Sequence, residues 1–124
     1  MTLLDRFRTA RRPSFRNVGP AEAADLLHDG ALLIDVRERS EFAAGHAPKA
    51  RHLPLSRLLD QRRNTVPQGR TLVLVCRSGN RSRRAARLLA RQGFDVVNVA
   101  GGMNAWAGAG LDLVRTGGGP GRVA

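Results

Sequence analysis

The residues best suited to chemistry in this 124-residue chain form one short string, Cys76-Arg77-Ser78-Gly79-Asn80-Arg81-Ser82, lying between an apolar run and a helix-like repeat. A strand-to-helix turn at the carboxyl edge of an open parallel sheet exposes its residues in the crevice where α/β proteins bind ligands. Gly79 lets the backbone bend there, and a tight loop leading into a helix can point successive N–H groups inward as a cradle for an anion. A thiol at the bottom of such a cradle meets converging amide dipoles, a helix N-terminus and the guanidinium groups of Arg77 and Arg81. All of these favour thiolate over thiol, which makes Cys76 the expected nucleophile. The same positive field would hold the anionic part of a substrate and stabilise a negatively charged persulfide on the sulfur. No metal, nucleotide or flavin is needed for this chemistry. A cysteine after a buried strand is often only a small apolar residue, but an inert one gives no reason for two arginines, a glycine and two serines to follow it.

Such a loop works only if the flanking elements hold it. Thr71 to Val75 is a β-branched apolar run that reads as the central strand, with Cys76 at its C-terminal end. From about Arg81 the chain turns helical, with Ala85, Leu88 and Leu89 at i, i+3, i+4 spacing and Gly93 as a stop; Arg83, Arg84, Arg87 and Arg91 face outward. Upstream, Asn17 to Pro20 reads as an extended lead into a helix, because Pro20 suits the first helical position and Glu22 the first turn. Ala23, Leu26 and Leu27 form its apolar face and Gly30 its stop, after which Ala31 to Val36 has the near-continuous apolar character of a buried parallel strand. Ser40 is the expected N-cap of a short helix through Phe42 to Ala44, closed by Gly45, and Ser56 that of a second over Leu58 and Leu59. Asp95 to Val99 is a further strand, and Gly101-Gly102 turns the chain into a last helix near Asn104 to Trp106. Strands alternating with helices predict an α/β fold with an open parallel sheet. Residues 1–16 are basic and weakly patterned, and 116–124 are Gly-rich, so both are expected to be flexible segments around a domain at 17–115.

Composition narrows the class. With 42% hydrophobic and 25% charged residues the chain matches ordinary globular proteins, but 4% aromatics and no Tyr leave a core of Leu, Val and Ala. The net charge of +11 draws in anions of many kinds without choosing among them. Cys76 is the single cysteine, which excludes an intramolecular disulfide and points to a reducing compartment. No transmembrane segment or secretory signal core is visible, so a cytoplasmic address is expected, with an organellar transit peptide as the lesser alternative for the Arg-rich start.

The string from Cys76 to Ser82 resembles the active-site loop of rhodanese-like sulfurtransferases. Leu33 to Glu38 is similar to the family's first strand signature, Glu41-Phe42 with Gly45-His46-Ala47-Pro48 to its next motif, and Gly101 to Trp106 to its C-terminal one. The likeness spans roughly residues 17 to 115; Lys49 departs from the family's frequent glycine there. The resemblance implies a rhodanese-like open parallel sheet flanked by helices on both faces, present as one repeat. It implies a sulfurtransferase in which Cys76 takes a sulfane sulfur from thiosulfate or a related persulfide donor and passes it to cyanide or a thiol acceptor. The expected partners are therefore a small anionic sulfur donor and such an acceptor, with a protein donor or acceptor also open. The covalent cysteine persulfide stands in for a cofactor. Arg77, Ser78, Gly79, Asn80 and Arg81 become the substrate-binding wall, with Arg77 and Arg81 as charge stabilisers. Ser82, Asp35 and Arg37 become supporting residues; Asp35 and Arg37 either hold the loop or line its approach, the alternative being a surface ion pair.

Two rivals stand beside this reading. A cysteine phosphatase or arsenate reductase also sets a thiolate in a loop ending in arginine, but Cys76 and Arg81 enclose four residues, whereas the related phosphatases enclose five. A noncatalytic rhodanese-like binding module would typically lack the loop cysteine. His46 and His52 have no partners at a zinc spacing, so no metal site is expected; His46 reads as a loop hydrogen-bonder and Trp106 as a packing residue. The six arginines from Arg77 to Arg91 lack interleaved aromatics, so nucleic acid is not the expected partner.

Overall fold

A computed structural model of the chain describes residues 14–60 and 66–124. Its elements run β1 (Arg16–Val18), α1 (Pro20–His28), β2 (Leu32–Asp35), α2 (Arg39–Ala44), β3 (Arg51–His52), α3 (Leu55–Leu59), β4 (Leu72–Val75), α4 (Asn80–Arg91), β5 (Val96–Val99) and α5 (Gly102–Gly108). The strands form one five-stranded parallel sheet in the order β1-β5-β4-β2-β3. β4 is therefore central, and all four of its residues are buried. This explains why its sequence is continuously apolar, since both of its faces are covered.

Alternate residues of each strand feed two cores. Leu32, Ile34, Leu72, Leu74 and Val96 pack with Leu58 of α3 and with Ala85, Ala86 and Leu89 of α4. Leu33, Val73, Val75, Val97 and Val99 pack on the other face with Ala23 of α1 and with Met103 and Trp106 of α5. Helices thus flank the sheet on both faces.

Several local expectations shift. α2 starts at Arg39, and Glu41 Oε1 accepts the backbone N–H of Glu38 at 3.0 Å, so the helix is capped at Glu38 and not at Ser40. α3 begins directly after Pro54, whose carbonyl accepts the first turn's N–H groups from Arg57 and Leu58, and this places Ser56 inside the helix. The edge strands β1 and β3, of three and two residues, are too short to show a period. Lys49 adopts φ 66°, the left-handed region in which glycine alone is free of steric cost.

The segment boundaries also differ. Phe15 packs on the core and Arg16 opens β1, so a boundary at 17 falls within that strand; residues 1–13 of the basic segment lie outside the described residues. Residues 116–124, expected to be a flexible segment, run back over α2 instead. Gly117, Gly118 and Gly119 have φ of 91°, 102° and 93°, a turn that side-chain-bearing residues resist. It returns Pro120 to Val114. The N–H groups of Thr116 and Arg122 each donate to α2, at 3.0 Å to the carbonyls of Ala43 and Ala44, and Val123 packs against the core. A Cβ on Gly45 would sit 2.2 Å from the Arg122 carbonyl oxygen, so the two segments touch backbone to backbone. The glycines serve a turn and a close approach; composition alone makes them look like a linker.

Candidate active site

Cys76 leaves the C-terminal end of the central strand and is 1% exposed, at the floor of a loop whose rim residues Arg77, Ser78 and Asn80 face solvent. Gly79 turns the loop with φ 107° directly ahead of α4. The Gly79 N–H donates to Cys76 Sγ at 3.0 Å and the Ser82 hydroxyl lies 3.3 Å from the same sulfur. Burial by itself would push the thiol up, but donors outweigh it: the Ser82 hydroxyl first, then the backbone N–H groups of Ser82, Gly79 and Ser78. The net effect holds Cys76 below the ordinary thiol range.

The cradle keeps this shape because α5 grips its outside. The N–H of Met103 donates to the Cys76 carbonyl at 2.7 Å and that of Asn104 to the Arg77 carbonyl at 3.0 Å. With those carbonyls turned outward, the following amides are left to face the sulfur. Gly101 and Gly102 are what permit the grip: Gly102 has φ 57°, and a Cβ there would lie 2.4 Å from the Cys76 carbonyl oxygen and 2.6 Å from that of Arg77. From below, the buried Asn98 side chain of β5 donates through Nδ2 to Asn17 at 2.9 Å and reaches the Gly79 carbonyl at 3.5 Å.

The arginines are arranged differently from expectation. Arg81 makes a two-pronged pair with Glu41 of α2, at 2.6 and 2.8 Å. Its hydrogen bonds hold the Glu41 carboxyl at about 2, against an ordinary 4.5, and raise Arg81 in turn; the charge of Cys76 contributes to that rise only secondarily. Arg81 therefore ties the loop to α2, and its guanidinium is engaged before any substrate arrives. Arg77 stands exposed at the rim. The donors that touch the sulfur are amides and a hydroxyl, so Ser82, placed in a supporting role by the sequence, is one of its direct partners.

Asp35 and Arg37 are both fully buried, which rules out a surface pair and equally a place along the approach. Arg37 Nη2 donates to Asp35 at 2.7 Å and to the Gly45 carbonyl at 2.7 Å. The pair pins the β2–α2 connection, and with it the platform for Glu41. Beside it, Phe42 stacks on the rings of His46 and His52, with centroids 3.8 and 4.6 Å away. His46 Nδ1 donates to the Phe42 carbonyl and His52 Nε2 to that of Arg37, each at 2.7 Å. Trp106 is buried and donates to the Asp112 carbonyl at 3.1 Å, in keeping with a packing role. The sequence assigned no role to Glu41 or Asn98, and to Gly102 only that of a turn into the last helix. Glu41 and Gly102 lie in the quoted motifs, whereas Asn98 carries one local signal, an amide inside an otherwise apolar strand.

Comparison with known proteins agrees with this architecture. Residues 19–109 match the family described as Rhodanese-like domain. The chain is similar to the thiosulfate sulfurtransferase GlpE of Pseudomonas putida, 43% identical over 94 residues, covering 74% of this chain and 84% of that protein. It is also similar to a sulfurtransferase of Allochromatium vinosum, 41% identical over 87 residues, covering 69% of this chain and 80% of that one. Among solved structures, a rhodanese-related protein of Thermoplasma volcanium superposes with a TM-score of 0.74 at 26% identity, covering 81% of this chain and 98% of that one.

Proposed function

Because the chain belongs to the rhodanese-like family and is a sulfurtransferase, we propose that Cys76 is the sulfur carrier, loaded from thiosulfate or a related persulfide donor. The observation that carries this reading is the pair of donors on one sulfur, the Gly79 N–H at 3.0 Å and the Ser82 hydroxyl at 3.3 Å. They favour the thiolate, which is the attacking species.

In the first step the Cys76 thiolate attacks the outer sulfur of thiosulfate. A sulfur–sulfur bond forms on Cys76, the bond to the sulfite portion breaks, and sulfite leaves with the electron pair. The new terminal sulfur carries the negative charge, which the amide donors around Cys76 Sγ, those of Ser78, Gly79 and Ser82, would stabilise. In the second step cyanide, or a thiolate when the persulfide is protonated, attacks the outer sulfur, and Cys76 departs as thiolate. Arg77 at the rim suits the sulfite portion, which is too bulky to follow the terminal sulfur to the floor. A single cysteine and the absence, among the described residues, of a helix long and apolar enough to cross a membrane support a cytoplasmic address.

The test is mass spectrometry after incubation with thiosulfate. The Cys76 peptide gains one sulfur atom, and cyanide removes it as thiocyanate. Cys76→Ser gains none and makes no thiocyanate while its circular dichroism is unchanged. Thiocyanate from that variant above a few per cent of wild type would rule out the assignment.

A further inference from the structure

The outward face of α4 is a charged surface that the chemistry above leaves unused. Arg84, Arg87 and Arg91 are exposed at i, i+3, i+7 spacing, and no carboxylate among the described residues pairs with them. With Leu88 of the same helix and Leu59 of α3 they line a groove of about 350 Å³. Leu59, 39% exposed, is the exposed large apolar side chain among the described residues. A solvated helix face has no need of an apolar floor between its arginines. The stripe also has a direction: Asn80, one turn before Arg84, opens the helix at the rim of the cysteine loop, so the arginines lead away from the sulfur over roughly 16 Å.

We infer that the α3–α4 groove docks an acidic protein segment, one that sets carboxylates against Arg84, Arg87 and Arg91 around an apolar side chain on Leu59 and Leu88, and brings a cysteine to the rim. This rests on the sulfur-transfer reading and names the partner class for it. Carboxylates complement three guanidinium groups that no carboxylate among the described residues pairs, and an apolar anchor ringed by charge is how protein interfaces gain both specificity and rate. Nucleic acid fits less well, because the groove offers leucines in place of the aromatic platforms on which bases stack. The exchange itself balances without an added reagent. The partner's thiolate attacks the outer sulfur of the protonated Cys76 persulfide, a sulfur–sulfur bond forms on the partner, and Cys76 leaves as thiolate. Loading of Cys76 by a partner persulfide is the same step reversed.

The probe is a synthetic helical peptide with glutamates at i, i+3 and i+7, a leucine between them and one cysteine a helix length away, compared with its lysine-for-glutamate twin. Fluorescence anisotropy of the labelled peptides is measured on wild type and on two triple variants that lose equal charge. One is Arg84→Gln with Arg87→Gln and Arg91→Gln; the other is Lys49→Gln with Arg51→Gln and Arg122→Gln. The acidic peptide should bind wild type at least tenfold more tightly than its twin, and the α4 variant should lose roughly that factor while the other loses threefold or less. Persulfidated wild type should pass sulfur to the acidic peptide faster than to its twin, and both variants should make thiocyanate from thiosulfate and cyanide at near wild-type rates. Equal losses in the two variants would reduce the effect to overall charge and overturn the inference. So would an oligonucleotide that binds more tightly than the peptide through the same arginines. Normal thiocyanate formation with no preference between the peptides would sink the docking alone. Failure of wild-type Cys76 to take up any sulfur would instead bring down the reading of the site and the exchange step, while anisotropy still decides the docking.

Discussion

Replacing Ser82 with alanine isolates the side-chain share of the activation of Cys76. The Ser82 hydroxyl lies 3.3 Å from Cys76 Sγ and 3.3 Å from the Gly79 carbonyl oxygen, and it has one proton to give. Opposite a neutral thiol the better acceptor is the carbonyl; opposite a thiolate it is the sulfur. The hydroxyl therefore stabilises the thiolate by the difference between a charge-assisted bond, about 1.5–3 kcal/mol, and an ordinary one, about 0.5–1.5 kcal/mol. A difference of about 1.5 kcal/mol corresponds to roughly tenfold in the thiolate-to-thiol ratio. Cys76 is held below the ordinary thiol range, so the thiolate persists as pH falls until that lowered pKa is crossed. Ser82→Ala raises the crossing point. The rate of alkylation by iodoacetamide, followed against pH, should drop roughly tenfold on the acid side of the wild-type midpoint and rejoin wild type on the alkaline plateau. The amides of Ser78, Gly79 and Ser82 remain, so part of the depression should survive. Superimposable profiles would refute the role of the hydroxyl, and a uniform drop at every pH would show that Ser82 sets geometry and not acidity.

The remaining predictions concern what holds the cradle. The Glu41 carboxyl titrates near 2 in the fold against 4.5 otherwise, so its contribution is complete above about pH 4.5 and lost as pH falls toward 2. Since Arg81 is 35% exposed, the pair is worth about 2 kcal/mol after screening; Glu41→Gln should lower the urea midpoint at pH 7 accordingly and flatten the acid limb of the wild-type stability profile. A wild-type acid limb retained by Glu41→Gln would place that titration elsewhere. Gly102→Ala puts a Cβ 2.4 Å from the Cys76 carbonyl oxygen, so sulfur transfer should fall at least tenfold and stability by about 2 kcal/mol, read by thiocyanate formation and urea unfolding. Activity within twofold of wild type would mean that α5 does not shape the loop. Deleting residues 117–124 removes the Arg122–Ala44 bond and the packing of Val123, and should lower Tm by several degrees in calorimetry; an unchanged Tm would show that the segment contributes nothing to stability.

Much of this protein was legible in the chain itself because the decisive signals are local. A continuous apolar run such as Leu72 to Val75 has to be buried on both faces, and its alternation with helical periods leaves a parallel α/β sheet as the economical solution. The nucleophile was legible for the same reason: a strand, a bend at Gly79 and a helix start are neighbours in sequence, so the amide cradle around Cys76 is written in seven consecutive residues. What the chain alone left open involves partners far apart along it. Arg81 and Glu41 lie 40 residues apart, Asn98 meets Asn17 across 81, and α5 closes on the carbonyls of Cys76 and Arg77 only because β5 lies beside β4. Charge counting therefore added Arg77 and Arg81 to the amides as activators of the thiol, whereas tertiary packing commits Arg81 to a carboxylate and leaves amides and a hydroxyl on the sulfur. The Gly-rich C-terminus looked like a linker for a related reason. Composition records the conformational freedom that glycine has in the unfolded chain, whereas the close approach of Gly45 to the backbone of Arg122 exists only once the fold has brought α2 and the returning C-terminal segment together.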